Sequence, residues 1–126
     1  MTTTYDIQAL APAPDWVCVF AEEEPNGSIT VNIHPLVGWA TCRTAECDDN
    51  GVKRTPEGRV KWNEFKVTVP AIYWGNEVRI PDDIFEEYEG EVTPFRVVHR
   101  GMEKVAEYQV THELNLHRKS LIQEAA

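Results

Sequence analysis

The sequence has no long apolar segment and few cysteines. None of its apolar runs approaches the ~18 residues needed to cross a bilayer. Its first residues lack the basic start and apolar stretch of a signal peptide. The three cysteines, Cys18, Cys42 and Cys47, allow one internal disulfide at most and leave one thiol over. We therefore predict a cytoplasmic protein with reduced thiols and no membrane partner.

Basic residues and catalytic motifs are also scarce. Twelve Lys and Arg stand against 21 Asp and Glu, for a net charge of -9, which disfavours direct nucleic-acid binding because phosphate contacts draw on Lys and Arg. The sequence contains no nucleophile elbow, phosphate-binding loop, dinucleotide fingerprint or His-Glu-x-x-His. Cys18 between two valines is predicted to be a core residue, and His34 on the polar face of the first hairpin is a general-base candidate. We predict neither enzyme activity nor a cofactor.

Most of the chain has the pattern of short strands. Residues 16–21 are apolar on both faces, Asn26-Gly27 is a hairpin turn, and residues 29–34 alternate between apolar and polar. Further strands are predicted over residues 36–42, 60–69, 78–80, 95–99 and 105–110, with 95–99 and 105–110 forming a second hairpin. The prediction is a single domain over residues 1–126, mainly β or α+β with one short helix. Its compact antiparallel sheet forms a small barrel or a sandwich.

Three segments fall outside this strand pattern. Residues 1–14 include two prolines and are predicted to be an extended lead-in. Residues 81–88 are predicted to be a short helix, since Asp83 and Glu86 fit a capping box. Residues 114–126 form either a terminal helix or a disordered tail.

An acidic segment between residues 77 and 91 is the most distinctive feature. Seven carboxylates stand there against one base, Arg79; they are Glu77, Asp82, Asp83, Glu86, Glu87, Glu89 and Glu91. Held on one rigid surface, they would attract a cationic target through their shared field. We expect them to be the partner-binding residues of a small acidic module that docks on a basic surface of a nucleic-acid-handling protein. The alternative is a solvated helix with its flanking loops.

The size and charge of the chain are those of accessory inhibitors, such as phage-type or anti-defence proteins. The most specific form of this hypothesis is that the protein mimics duplex DNA. A duplex carries one charge per ~1.7 Å of axis, so a patch of ~20 Å should show about a dozen charges. Seven carboxylates fall short unless Glu22-Glu23-Glu24 or Asp48-Asp49 lie beside them.

A basic segment supports two further hypotheses. Between residues 53 and 66, five bases outnumber Glu57 and Glu64 and give a local charge of +3; the bases are Lys53, Arg54, Arg59, Lys61 and Lys66. Acidic and basic faces of this kind would let copies of the chain associate as an assembly subunit and homo-oligomer. With Trp62 and Phe65, the same segment has the composition of a single-strand nucleic-acid platform.

Two patterns suggest a metal-stabilised domain or a small enzyme. Residues 46–57 resemble a calcium-binding EF-hand loop, with Glu46, Asp48 and Asn50 at the first ligand positions, Gly51 at the turn and Glu57 at the twelfth position. The Glu46 side chain is longer than the usual Asp, and Arg54 occupies a ligand position. The pairs that could complete a zinc site are Cys42 with Cys47 and His112 with His117.

Overall fold

The computed structural model describes residues 2–85 and 91–125 and is mostly β. This confirms the predicted fold class. Over these described residues, eight strands and two helices follow in the order β1 Thr2–Ala11, β2 Trp16–Glu23, β3 Ile29–Pro35, β4 Gly38–Asp48, β5 Gly51–Val52, β6 Val67–Trp74, β7 Glu77–Arg79, α1 Pro81–Ile84, β8 Phe95–His99 and α2 Glu103–Ala125. The chain forms two units, Met1–Ala13 with Val37–Asp83 and Pro14–Leu36 with Ile84–Ala126.

The first unit is built on an antiparallel sheet with the strand order β1-β4-β6-β7, and β5 pairs with β4. Its core contains Ala40, Cys42, Ala71 and Ile80, with Tyr5 packed against them. The predicted lead-in is largely strand β1, because residues 2–11 pair with β4 despite the prolines that follow. Pro12 and Pro14 lie beyond the last residue of this ladder.

The second unit has the strand order β3-β2-β8, and β2 is buried on both faces. One face carries Val17, Val19 and Ala21, which pack against helix α2. On the other face, the Phe20 ring lies 4.6 Å from that of Phe85. The predicted first hairpin is confirmed by the antiparallel pairing of β2 with β3.

Helix α2 corrects the second predicted hairpin. Residues 95–99 are strand β8, but residues 105–110 are helical and belong to α2. Ala106, Val110 and Leu114 are all buried and recur every four residues, which places them on one helix face. The apolar pattern of residues 105–110 fits both periods, and packing of this face on β2 selects the helix.

Two other predictions are wrong in detail. The strand expected over residues 60–69 begins only at Val67, since Val60 forms an isolated bridge with Arg54. The apolar alternation of β3 ends early: Ile33 is 46% exposed, while His34 is half-buried with its ring 5.2 Å from that of Phe20. Helix α1 begins at the predicted residue, and residues 86–88 of the predicted helix lie outside the described part of the chain. Over residues 2–85 and 91–125, no helix is long and apolar enough to span a membrane.

Candidate functional site

The predicted acidic surface is divided between the two units. Glu77 and Asp82 are exposed in the first unit, where Asp83 pairs with Arg79 at 3.3 Å. Glu91 belongs to the second unit. The remaining three predicted residues, Glu86, Glu87 and Glu89, lie outside the described residues. That the seven carboxylates form a single surface therefore remains a prediction. Of the seven, Glu91 lines a cleft.

That cleft lies within the second unit and has a volume of about 690 Å³. Its walls come from the end of β2 with the hairpin turn, from the segment before β8, and from the second half of α2. Four of the lining residues are glutamates; the full lining is Glu22, Glu23, Glu24, Pro25, Glu91, Val92, Thr93, Leu114, His117 and Leu121. The structure thus places Glu91, one of the seven predicted residues, beside the Glu22–Glu24 run.

The hairpin turn fixes the glutamate run at the cleft. The Glu24 amide donates to the Ser28 carbonyl at 2.8 Å, and the Gly27 amide donates to the Glu24 carbonyl at 2.9 Å. Gly27 has φ +87°, a left-handed conformation that favours glycine. The Asn26 side chain accepts from the Ser28 amide at 3.0 Å. The main chain around Glu24 is therefore held by hydrogen bonds within the turn that connects β2 to β3.

Arg118 connects helix α2 to this hairpin. Its Nε lies 3.4 Å from Oε1 of Glu23, and its Nη2 donates to the Gly27 carbonyl at 3.1 Å. Glu23 is on the face of β2 that packs against α2, which explains why it meets a base from that helix. Among the ion pairs formed by described residues, none includes Glu22, Glu24 or Glu91. Three carboxylates of the cleft thus have no charged partner within the described chain.

The lower part of the cleft is apolar. Leu114 is 2% exposed and belongs to the core, whereas Leu121, about two turns farther along α2, is 43% exposed. Apolar groups below a carboxylate rim suit a ligand with an aliphatic stem and a cationic head, such as a lysine or arginine side chain. The cleft volume lies within the roughly 300–1,000 Å³ range of ligand pockets.

The net charge is concentrated in the unit that contains the cleft. Over its full sequence, the second unit has twelve acidic and five basic residues and a charge of -7. The first unit has nine acidic and seven basic residues and a charge of -2. The field around the cleft therefore favours the approach of a cation.

The segment that resembles a calcium loop is a β-hairpin. Strands β4 and β5 pair through Cys47 with Val52 and Asp48 with Gly51, and Gly51 has φ +99°. Lys53 Nζ donates to Glu46 Oε2 at 2.9 Å, so a base engages the carboxylate expected at the first ligand position. The Asp48 carboxylate accepts from the Asn50 amide at 2.9 Å, and Glu57 is exposed. These contacts are those of an ordinary turn.

The zinc candidates belong to different elements. Cys42 is buried in the core of the first unit, and the Cys47 sulfur lies 2.9 Å from the Thr4 hydroxyl. His112 stacks on Tyr108, with ring centroids 6.1 Å apart, while His117 lines the cleft. Within residues 2–85 and 91–125, no three His, Cys, Asp or Glu side chains are grouped as metal ligands.

Burial raises the pKa of two of the three thiols. Cys18 is fully buried, and loss of hydration raises the pKa of its thiol to about 12. Burial, with the charge of Asp6, also raises the pKa of Cys42. A neutral thiol is a poor nucleophile, so these two cysteines are core residues.

Sequence reasoning ranked the glutamate run only as an accessory to the acidic segment. Its signal was three consecutive glutamates directly after five buried positions of β2 and before a Pro-Asn-Gly turn. What the sequence did not show was helix α2 crossing beside that run. No family model, curated protein or solved structure matches this chain.

Proposed function

We propose that this protein is an acidic protein-binding module whose second unit receives a basic segment of a partner protein in its cleft. The observation that supports this most is the grouping of Glu22, Glu24 and Glu91, without charged partners in the described chain, above the apolar side chain of Leu114. A partner lysine or arginine would place its stem on the leucine and its charge among the carboxylates.

The partner class follows from the charge. Proteins that handle nucleic acids expose lysine and arginine to bind phosphates, and an acidic cleft competes for those same side chains. The module would then act as an accessory inhibitor that covers the basic surface of its target. Four carboxylates around one cleft are fewer than the ~12 charges of a ~20 Å duplex patch, so the proposal concerns capture of a basic segment rather than full duplex mimicry.

The test measures binding of a fluorescent peptide with alternating lysine and leucine by anisotropy. The cleft variant carries Glu22→Gln, Glu24→Gln and Glu91→Gln. Each exposed ion pair contributes about 0.2–1 kcal/mol, so loss of three should weaken binding by roughly 3- to 150-fold. Binding by the unaltered protein should also weaken with rising salt, since exposed charges are screened.

The matched control carries Asp49→Asn, Glu57→Gln and Glu64→Gln, which changes the net charge equally. All three residues are exposed in the first unit and form no ion pair among the described residues. The control should bind the peptide almost as well as the unaltered protein. Equal losses in both variants would show that only total charge matters and would overturn the cleft as the site.

A further inference from the structure

The bend after Val60 exposes a large aromatic side chain beside several bases. Phe65 is 76% exposed, the highest value among the large apolar residues of the described chain. Lys66 follows it directly, and Arg59 and Lys61 precede it in the same segment. We call residues 59–66 the basic bend. An exposed aromatic ring flanked by cations is the composition of an anchoring residue in an interface.

The base of this segment is held against β4. The Asn63 amide donates to the Thr44 carbonyl at 2.8 Å, and the Asn63 side chain donates to the Thr44 hydroxyl at 2.8 Å. The Arg43 guanidinium stacks over the Trp62 ring at 4.1 Å. These contacts anchor the residues before Phe65, so its ring is presented from a supported backbone.

The cations of this region divide into two groups. Lys53 pairs with Glu46 at 2.9 Å, and Arg54 donates to the Gly58 carbonyl at 2.9 Å. The exposed bases Arg59, Lys61 and Lys66 form no ion pair among the described residues. Glu64 is the acidic residue within the basic bend, which leaves a net local charge of +2.

The basic bend is complementary to the cleft in both charge and polarity. The cleft offers Glu22, Glu24 and Glu91 around an apolar floor, and the bend offers cations around an exposed ring. We infer that the basic bend of a second copy of this chain occupies the cleft. The inference rests on the proposed function, because it names one basic segment that the same cleft receives.

This contact joins two different surfaces, so a pair of associated copies still has one free bend and one free cleft. Contacts of this type are heterologous and produce rings or open chains rather than a closed pair of identical faces. Self-association would also occupy the cleft and compete with a foreign partner. Binding of that partner should therefore weaken as the protein concentration rises.

The experiment measures weight-average mass against concentration by sedimentation or light scattering at low salt. The unaltered protein should exceed its monomer mass of 14.4 kDa and return towards it at high salt. Lys66→Glu and Glu91→Lys should each reduce association. An equimolar mixture of the two variants should restore it, because the unaltered bend of the Glu91→Lys variant then meets the unaltered cleft of the Lys66→Glu variant, and the two altered surfaces also carry opposite charges. Phe65→Ala should reduce association without changing the charge.

Lys104→Glu is the matched control for Lys66→Glu, since Lys104 is exposed on α2 in the second unit and the charge change is equal. It should associate like the unaltered protein. The peptide assay separates the two proposals: Lys66→Glu should keep peptide binding, and Glu91→Lys should lose it. A protein that binds the peptide but stays monomeric, or variants whose mixture does not associate, would overturn the inference and leave the proposed function standing. If the unaltered protein neither binds the peptide nor associates, both the inference and the proposed function are overturned.

Discussion

Replacing Leu114 by alanine tests how helix α2 builds the second unit. Leu114 is 2% exposed and belongs to a cluster with Val19 and Val110. Leucine-to-alanine changes at buried sites cost about 2–5 kcal/mol, from lost transfer free energy and from the cavity left behind. We therefore expect a loss within that range, of about 3 kcal/mol.

The matched control is Leu116→Ala, two residues along the same helix. Leu116 is 52% exposed, so its truncation removes little buried area, and alanine is the better helix former. Its effect on the free energy of unfolding should stay within about 0.5 kcal/mol, as for surface changes generally.

Urea unfolding gives the free energy of both variants and thermal unfolding gives their melting temperatures, each followed by tryptophan fluorescence. The melting temperature should fall by about 12 °C for Leu114→Ala, since a chain of this size loses about 4 °C per kcal/mol. It should hardly change for Leu116→Ala. Equal stability of the two variants would refute the packing of Ala106, Val110 and Leu114 against β2, and with it the position of the cleft wall.

Three further predictions concern β1 and the thiols. A Cβ added at Gly38 would collide with the Ala11 carbonyl oxygen and lie 3.3 Å from its carbonyl carbon, so Gly38→Ala should destabilise the first unit by about 1–3 kcal/mol. Hydrogen exchange should then accelerate in β1, and unchanged protection there would contradict the close approach. A thiol reagent at pH 8 should modify the half-buried Cys47 quickly and spare the buried Cys18 and Cys42 until denaturant is added. Because the pKa of Cys18 is about 12 in the folded chain and about 8.5 when unfolded, the folded state keeps its proton while the unfolded state loses it. Stability should therefore fall as pH rises from about 9 to 12; an equal fall in Cys18→Ala would exclude this thiol as the cause.

The fold class and the first hairpin could be predicted because they depend on local patterns. Residues 16–21 and 29–34 carry strand periodicity on both sides of an Asn-Gly turn, and those features specify neighbouring strands directly. Glycine at residue 75 likewise marked the turn between β6 and β7. The calcium-like segment contains a β-hairpin for a related reason, since Asp-Asn-Gly is also a good turn sequence and connects β4 to β5.

The sequence alone determined the charge, the carboxylates available and most strand positions, because these follow from composition and from patterns within about ten residues. Only tertiary structure decided that residues 105–110 are helical, since their apolar spacing satisfies both periods and burial of Ala106 and Val110 against β2 resolves the ambiguity. The same packing brings Leu114 beside Glu22–Glu24, which precede it by about ninety residues. A contact at that separation leaves no periodic trace in a single sequence, and the cleft exists because of it.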